Sequence, residues 1–277
     1  MFNTILVHVD LSSHAPARMR YAASLAQNHH AHLIGAAMFG VSRSIFPVGY
    51  ASRPGTLEAS YFDPLELNAR RALAQFEEIA TQTRVGHETR VVCDQADDGL
   101  ARLARFADLV VISQDDPDEA LPDLAVHLPE YVILNSARPV LVVPRADPPA
   151  AAGRDVLLAW DGSKEASRAM SAALPLLREA STVTIAALTG PNFNADEVRN
   201  ARPDLMHFLG RHGIAPRVLI REPQRDAGHE LLDVAAELAC GVLVMGCYGH
   251  GKLRELCLGG ASRTVLAEAR IPVLLAH

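Results

Sequence analysis

Short unbroken apolar runs alternate along this chain with longer stretches whose apolar residues recur at helical spacing. Ile5–Val9 is such a run and reads as a strand ending at Asp10. Ser12 and Ser13 follow as candidate N-caps for a helix to about Gln27, with Pro16 tolerated in its first turn, where no amide is needed. His32–Met38 is a second strand. Leu65, Leu73, Phe76 and Ile79 share one face of a helix over Pro64–Gln82. Glu88–Cys93, Leu109–Ile112 and Pro139–Val143 are further strands, with helices predicted near Gly99–Phe106 and Glu130–Asn135. The pattern then starts again. Val156–Trp160 ends at Asp161, Ser163 caps a helix to about Arg178, and Thr182–Leu188, Arg217–Ile220, Val242–Met245 and Val273–Leu275 are the remaining strands.

Two copies of a strand–helix alternation predict two units of one fold. Strands apolar on both faces and separated by helices predict parallel sheets covered on both sides. The expected domains are residues 1–146 and 153–277, joined by a linker at 147–152 in the Pro- and Ala-rich stretch Ala146–Gly153. Most of the length difference between the copies falls in residues 41–63, rich in Pro, Gly and Ser, which read as a long loop or lid. Open parallel sheets hold ligands beyond the carboxyl ends of their strands, where the strand order reverses. Asp161 and Gly246 both stand at such ends.

Composition narrows the function classes. The formal charge is −6 and no basic stripe is present, which argues against nucleic acid. No run approaches the ~18 apolar residues of a membrane span. The start, MFNTILVHVD, lacks the basic flank and apolar core of a signal peptide. Cys93, Cys240, Cys247 and Cys257 show no CxxC spacing and read as reduced thiols. A cytoplasmic protein is expected. His29, His30 and His32 cluster at a predicted helix end and read as structural, and Trp160 reads as packing.

The chemistry concentrates in Gly241–Arg263, where the strand Val242–Met245 empties into Gly246, Gly249, Gly251, Gly259 and Gly260 beside Lys252, Arg254 and Arg263. Backbone amides approach an anion closely where no Cβ intervenes, and a following helix adds its positive end. His250 lies inside this loop and is a candidate phosphate contact. Gly246-x4-Gly251-Lys252 resembles a P-loop, but Leu253 stands where Ser or Thr would hold Mg²⁺. A dinucleotide fingerprint fails, because no GxGxxG follows a first strand.

Gly246-Cys-Tyr-Gly249, nine residues, then Gly259-Gly260 with Ser262 two positions on, resembles the motif of the universal stress protein family in its tandem two-domain form. In each half the first strand ends in Asp and the last reads RPVLVV or IPVLLA. The resemblance implies, in each half, a five-stranded parallel α/β sheet of order 3-2-1-4-5, with helices on both faces, of the adenine nucleotide alpha hydrolase-like type. It further implies a stress-response module that binds ATP, with or without Mg²⁺, or another adenine nucleotide. Carried over residue by residue, the binding positions are Asp161 near ribose and phosphates, Leu188 at the adenine, and Gly246, Gly249, Gly259, Gly260 and Ser262 at the phosphates. Gly260 departs from the pattern, which has Ser or Thr there. One lost neutral hydrogen bond amounts to roughly 0.5–1.5 kcal/mol, or about tenfold in affinity at most.

The first half lacks these groups. Aligned on its closing strands, Gly249 falls on Asp116, Gly259 on Val126, Gly260 on His127 and Ser262 on Pro129. Asp115, Asp116, Asp118 and Glu119 would repel a triphosphate and read as a solvated acidic loop, with Asp10 left as a helix cap. One nucleotide site is expected, in the second domain, with no catalytic residue and no resident metal assigned. Two alternatives stand beside this reading: a slow ATPase, for which no dedicated base is apparent, and an interaction protein without nucleotide. The resemblance also implies pairing through the fifth strand, satisfied internally as a pseudo-dimer by Val140–Val143 and Val273–Leu275, and leaves a homodimer open.

Overall fold

The computed structural model describes residues 1–40, 62–116, 127–145, 154–189, 195–247 and 260–277. The chain divides into two compact units, Met1–Arg145 and Ala146–His277. The expected linker, 147–152, and most of the 41–63 insertion lie outside the described residues.

The first unit runs β1 (Thr4–His8), α1 (Ala15–His29), β2 (His32–Phe39), α2 (Asp63–Thr83), β3 (His87–Cys93), α3 (Ala96–Leu103), β4 (Leu109–Ser113), α4 (Leu128–Asn135) and β5 (Val140–Val143). Its strands pair in parallel in the order β3-β2-β1-β4-β5, with Ile5 facing Leu33 on one side and Leu109 on the other. The second unit runs β6 (Val156–Ala159), α5 (Lys164–Ala172), α6 (Leu174–Glu179), β7 (Val183–Leu188), α7 (Ala195–Arg211), β8 (Arg217–Arg221), α8 (Ala227–Glu237), β9 (Val242–Gly246), α9 (Ala261–Glu268) and β10 (Val273–Ala276). Its order is β8-β7-β6-β9-β10, again parallel throughout. Both units therefore have the 3-2-1-4-5 topology expected from the alternation of elements.

The cores explain the apolar runs. Ile5, Leu6 and Val7, and likewise Leu109 to Ile112, are at most 1% exposed, because central parallel strands are covered on both faces. In the first unit α1 packs with α2 and α3 with α4; in the second α8 packs with α9 while α5 lies over β9 and β10. Gly35 in β2 is required by this packing, since a Cβ there would stand 2.5 Å from the buried ring of Phe76 on α2. His29 is buried edge-on against Phe2, their ring centroids 5.0 Å apart, so its role in the core is that of an aromatic side chain.

Several boundaries differ from the sequence expectation for local reasons. α1 starts at Ala15, with His14 rather than Ser12 or Ser13 at the N-cap and no side-chain cap. The helix expected from Ser163 to Arg178 is broken at Ala173, ahead of Pro175, into α5 and α6. α3 begins three residues earlier than Gly99, on Ala96. Among the described residues no helix is long and apolar enough to cross a membrane.

Candidate functional site

At the carboxyl end of β6, Gly162 adopts a left-handed φ of 77° that turns the chain into α5. Asp161 Oδ1 accepts from Ser163 N at 2.9 Å and from Ser163 Oγ at 2.5 Å. The same Ser163 oxygen accepts from Ala166 N at 3.0 Å, so this serine is the N-cap of α5 as expected. Leu188, the last residue of β7, is buried opposite Arg221 of β8. Gly246 ends β9, whose register with β6 sets Leu158 opposite Val244. Asp161, Leu188 and Gly246 are thereby brought to one edge of the sheet, at the end of three adjacent strands.

Gly246 has a reason for being glycine that its motif did not reveal. A Cβ there would lie 2.4 Å from Ala166 N and 2.5 Å from the Glu165 carbonyl carbon. The first turn of α5 is pressed onto the end of β9, and only a residue without a side chain admits it.

Gly260 and Ser262 belong to the start of α9. Gly260 is the N-cap residue, extended at φ −73° and ψ 168°, and supplies no side-chain cap. Ser262 follows in the first turn and is buried. Gly228 on α8 lies against this turn, where a Cβ would meet Ala261 O at 2.9 Å and Thr264 Cβ at 2.6 Å. α8 differs from α9 in its cap: Asp226 Oδ1 accepts from Gly228 N at 3.0 Å and His229 N at 3.3 Å. Gly249, His250 and Gly259 lie outside the described residues. Trp160 is half-buried beside Asp161, its backbone amide donating to Ala186 O at 2.8 Å.

The first unit carries a different arrangement at the matching edge. Arg18 projects from α1, only 2% exposed, and its guanidinium bridges three elements. Nε donates to His8 O at 2.8 Å, one terminal nitrogen to Ser113 Oγ at 2.8 Å, and the other to Asp10 Oδ1 at 2.9 Å. Asp10 Oδ1 also accepts from Ser12 N and Ser12 Oγ, at 3.0 and 2.6 Å. Asp10 therefore anchors an arginine rather than capping α1. Aligned on the strands, His8, Arg18 and Ser113 stand where the second unit has Ala159, Ala169 and Gly246. Three larger side chains thus stand where the repeat has small residues, and the repeat instead brings the first turn of α5 against Gly246. Sequence reasoning passed over Arg18, although a charge among Ala15, Met19, Ala22 and Ala26 on the buried face of α1 was a signal that a partner must exist.

In the acidic stretch Asp116 is engaged, while Asp115 pairs at the surface. Asp116 Oδ2 is 2.7 Å from His14 Nε2, and its other oxygen is 3.6 Å from Arg145. Asp115 pairs with His127 Nδ1 at 2.8 Å. Asp118 and Glu119 lie outside the described residues.

Electrostatics follow from burial. His8 is 7% exposed and its Nδ1 lies 3.4 Å from Asp10 Oδ2. Burial pushes its imidazole down to about 4, outweighing the upward pull of Asp10, and Arg18 adds to the lowering. Burial works to raise the Asp10 carboxyl, but His8, Arg18 and the two Ser12 hydrogen bonds together hold it well below the usual carboxylate range. An unfolded histidine takes its proton near 6.5, so between about pH 6.5 and 4 the unfolded chain binds a proton that native His8 refuses. Native stability is expected to fall over that window by on the order of 3 kcal/mol from this residue. Asp10 loses its contribution only at lower pH, below the ordinary carboxylate range. Urea unfolding at pH 7 and pH 5 checks this: His8→Leu should lose less stability between the two than the parent.

Comparison with known proteins locates the sequence pattern. The universal stress protein family pattern matches residues 153–277. A universal stress protein from Archaeoglobus fulgidus aligns with a TM-score of 0.77 at 17% identity, covering 99% of this chain and 96% of that one. A protein of unknown function from Pseudomonas aeruginosa aligns with a TM-score of 0.62 at 18% identity, covering 99% and 92%. A further universal stress protein structure from A. fulgidus, solved in complex with dAMP, covers 50% of this chain and 96% of that one at 18% identity and a TM-score of 0.38. No curated protein sequence is similar enough to the chain to be matched. With the family pattern in the second unit and the same strand order in the first, residues 153–277 belong to the universal stress protein family and follow a unit of the same fold.

Proposed function

We propose that the second unit binds an adenine nucleotide, with ATP as the reference ligand, and that the first unit does not. The observation carrying this reading is the start of α9. Gly260 at its N-cap offers no side chain, and no side-chain cap forms there among the described residues, whereas Ser163 and Asp226 cap α5 and α8. Uncapped amides at the positive end of a helix suit an anion. Asp161 lies two residues past the end of β6 and Leu188 ends the adjacent β7, as a ribose and adenine contact would require. From the sequence, Gly246, Gly249, His250, Gly259, Gly260 and Ser262 are assigned to the phosphate side. Asp161 would hold any Mg²⁺ that accompanies the nucleotide. In the first unit the Arg18 guanidinium engages Asp10 and Ser113, the counterparts of Asp161 and Gly246, which supports a phosphate side given over to internal pairing.

The test is thermal unfolding with and without ATP and Mg²⁺. Ligand at about a hundred times its Kd should stabilise by about 2.7 kcal/mol. Gly249→Asp should abolish that response and leave the unliganded transition unchanged. A Gly249→Asp protein that responds like the parent removes the loop from the site, and a parent with no response favours an interaction protein. Phosphate released over hours would make it a slow ATPase.

A further inference from the structure

A cavity of about 330 Å³ opens in the first unit at the carboxyl ends of β1, β2 and β3. Val9, Leu11, Met38, Phe39 and Leu65 give it apolar walls, and two of these, Leu11 and Leu65, remain exposed to water. Apolar walls with a few polar groups at this volume are the usual form of a small-molecule site.

The polar groups select the charge of the ligand. Among the described residues lining the cavity there is no Lys, Arg or His, whereas Asp10 and Asp94 both line it. Asp10 has one oxygen engaged and one open. Oδ1 accepts from Arg18, Ser12 N and Ser12 Oγ, while Oδ2 has only His8 Nδ1 near it, at 3.4 Å. That imidazole is kept neutral by burial and its Nδ1 makes no hydrogen bond. The Asp10 side chain is 32% exposed, so its free oxygen is within reach of a ligand.

An anion would find no donor here. Arg18 does not line the cavity, is 2% exposed, and already donates to His8 O, Ser113 Oγ and Asp10. The positive end of α3 borders the cavity at Gln95 and Ala96 but carries its own acids. Asp94 Oδ1 accepts from Gln95 N at 3.0 Å, and Asp97 Oδ1 from Asp98 N at 2.7 Å. Asp94 is also paired with Arg102, and Asp98 accepts from the Tyr131 hydroxyl. Asp10, Asp94, Asp97 and Asp98 are thus set against Arg18 and Arg102, and the surroundings are net negative. By strand register, Asp94 stands where the second unit has Pro223, so this acidic wall belongs to one copy.

We propose that this cavity binds a small organic cation, an apolar body carrying a primary ammonium, with the ammonium donating to Asp10 Oδ2 and the body resting against Met38, Phe39 and Leu65. The body removes apolar wall from water, and the ammonium gives the open carboxylate oxygen a charged donor.

Phenethylamine is the probe, with 2-phenylethanol and 3-phenylpropionate as its uncharged and anionic counterparts. Titration into the ¹⁵N-labelled full-length protein at pH 7 should give saturable amide shifts for the amine at 9–11, 38–40 and 94–96. The alcohol should bind about five- to tenfold more weakly, the difference between a charge-assisted and a neutral hydrogen bond. The carboxylate should not saturate. Asn68→Trp, an exposed substitution on α2 at a lining position, should block the amine by covering the cavity. Asp10→Asn should bring the amine down to the affinity of the alcohol, and the three ligands on the parent decide the question if that variant does not fold. The proposal is overturned if the amine fails to saturate, shifts other amides, or binds Asn68→Trp as tightly as the parent. Alcohol or carboxylate binding as tight as that of the amine overturns it as well. The ATP-induced stabilisation should be the same in Asn68→Trp and the parent, so failure here is separable from failure of the nucleotide reading.

Discussion

Arg18→Met is expected to destabilise the first unit by about 3–5 kcal/mol, because it removes one member of a buried charged set and leaves the others behind. Methionine keeps much of the side-chain volume, so the loss reports on hydrogen bonds and charge rather than on a cavity. Asp10 would lose its guanidinium donor, and His8 O and Ser113 Oγ would each lose theirs. The measurement is urea unfolding of the full-length chain, with amide exchange of β1 and β4 reporting the first unit separately. Arg18→Met combined with Asp10→Asn should lose less than the single variant, since removing both charges avoids an uncompensated one. A single variant within about 0.5 kcal/mol of the parent, the range of ordinary surface changes, would mean that the arginine does not hold this edge together.

Gly246→Ala is expected to have the next largest effect, a loss of roughly 3 kcal/mol in the second unit. The added methyl would stand 2.4 Å from Ala166 N and 2.5 Å from the Glu165 carbonyl carbon, and neither can rotate away because both are backbone atoms. The first turn of α5 must move, carrying Ser163 and its hydrogen bonds to Asp161 with it. Loss of stability and loss of any nucleotide response should therefore appear together. Gly210→Ala is the control. It lies exposed within α7 with nothing within 4 Å of a Cβ, so the same change there should stabilise by about 0.5–1 kcal/mol. If Gly246→Ala unfolds like the control, the close approach of α5 is not what that glycine serves.

These two predictions mark the boundary of what was legible in the sequence. The strands were readable because central parallel strands are buried on both faces and so appear as continuous apolar runs, Ile5–Val9 and Val242–Met245 among them. Asp10 and Asp161 were readable as strand-end residues for the same reason. Their partners were not. Ser12 and Ser163 have the same spacing from their aspartates, yet Ser163 caps a helix and Ser12 does not. The second copy has Gly162, at a φ of 77°, where the first has Leu11, so the turn into the helix differs before any distant partner is met.

The sequence by itself determined the repeated alternation of elements, the parallel sheets and the places where strands end, because each follows from which residues avoid water over a few consecutive positions. The tertiary structure decided what packs against those ends. That depends on side chains distant in the chain, Arg18 reaching Ser113 in one unit and the start of α5 meeting Gly246 in the other. A glycine or an arginine carries no mark of what will be packed against it until the sheet brings the two segments together.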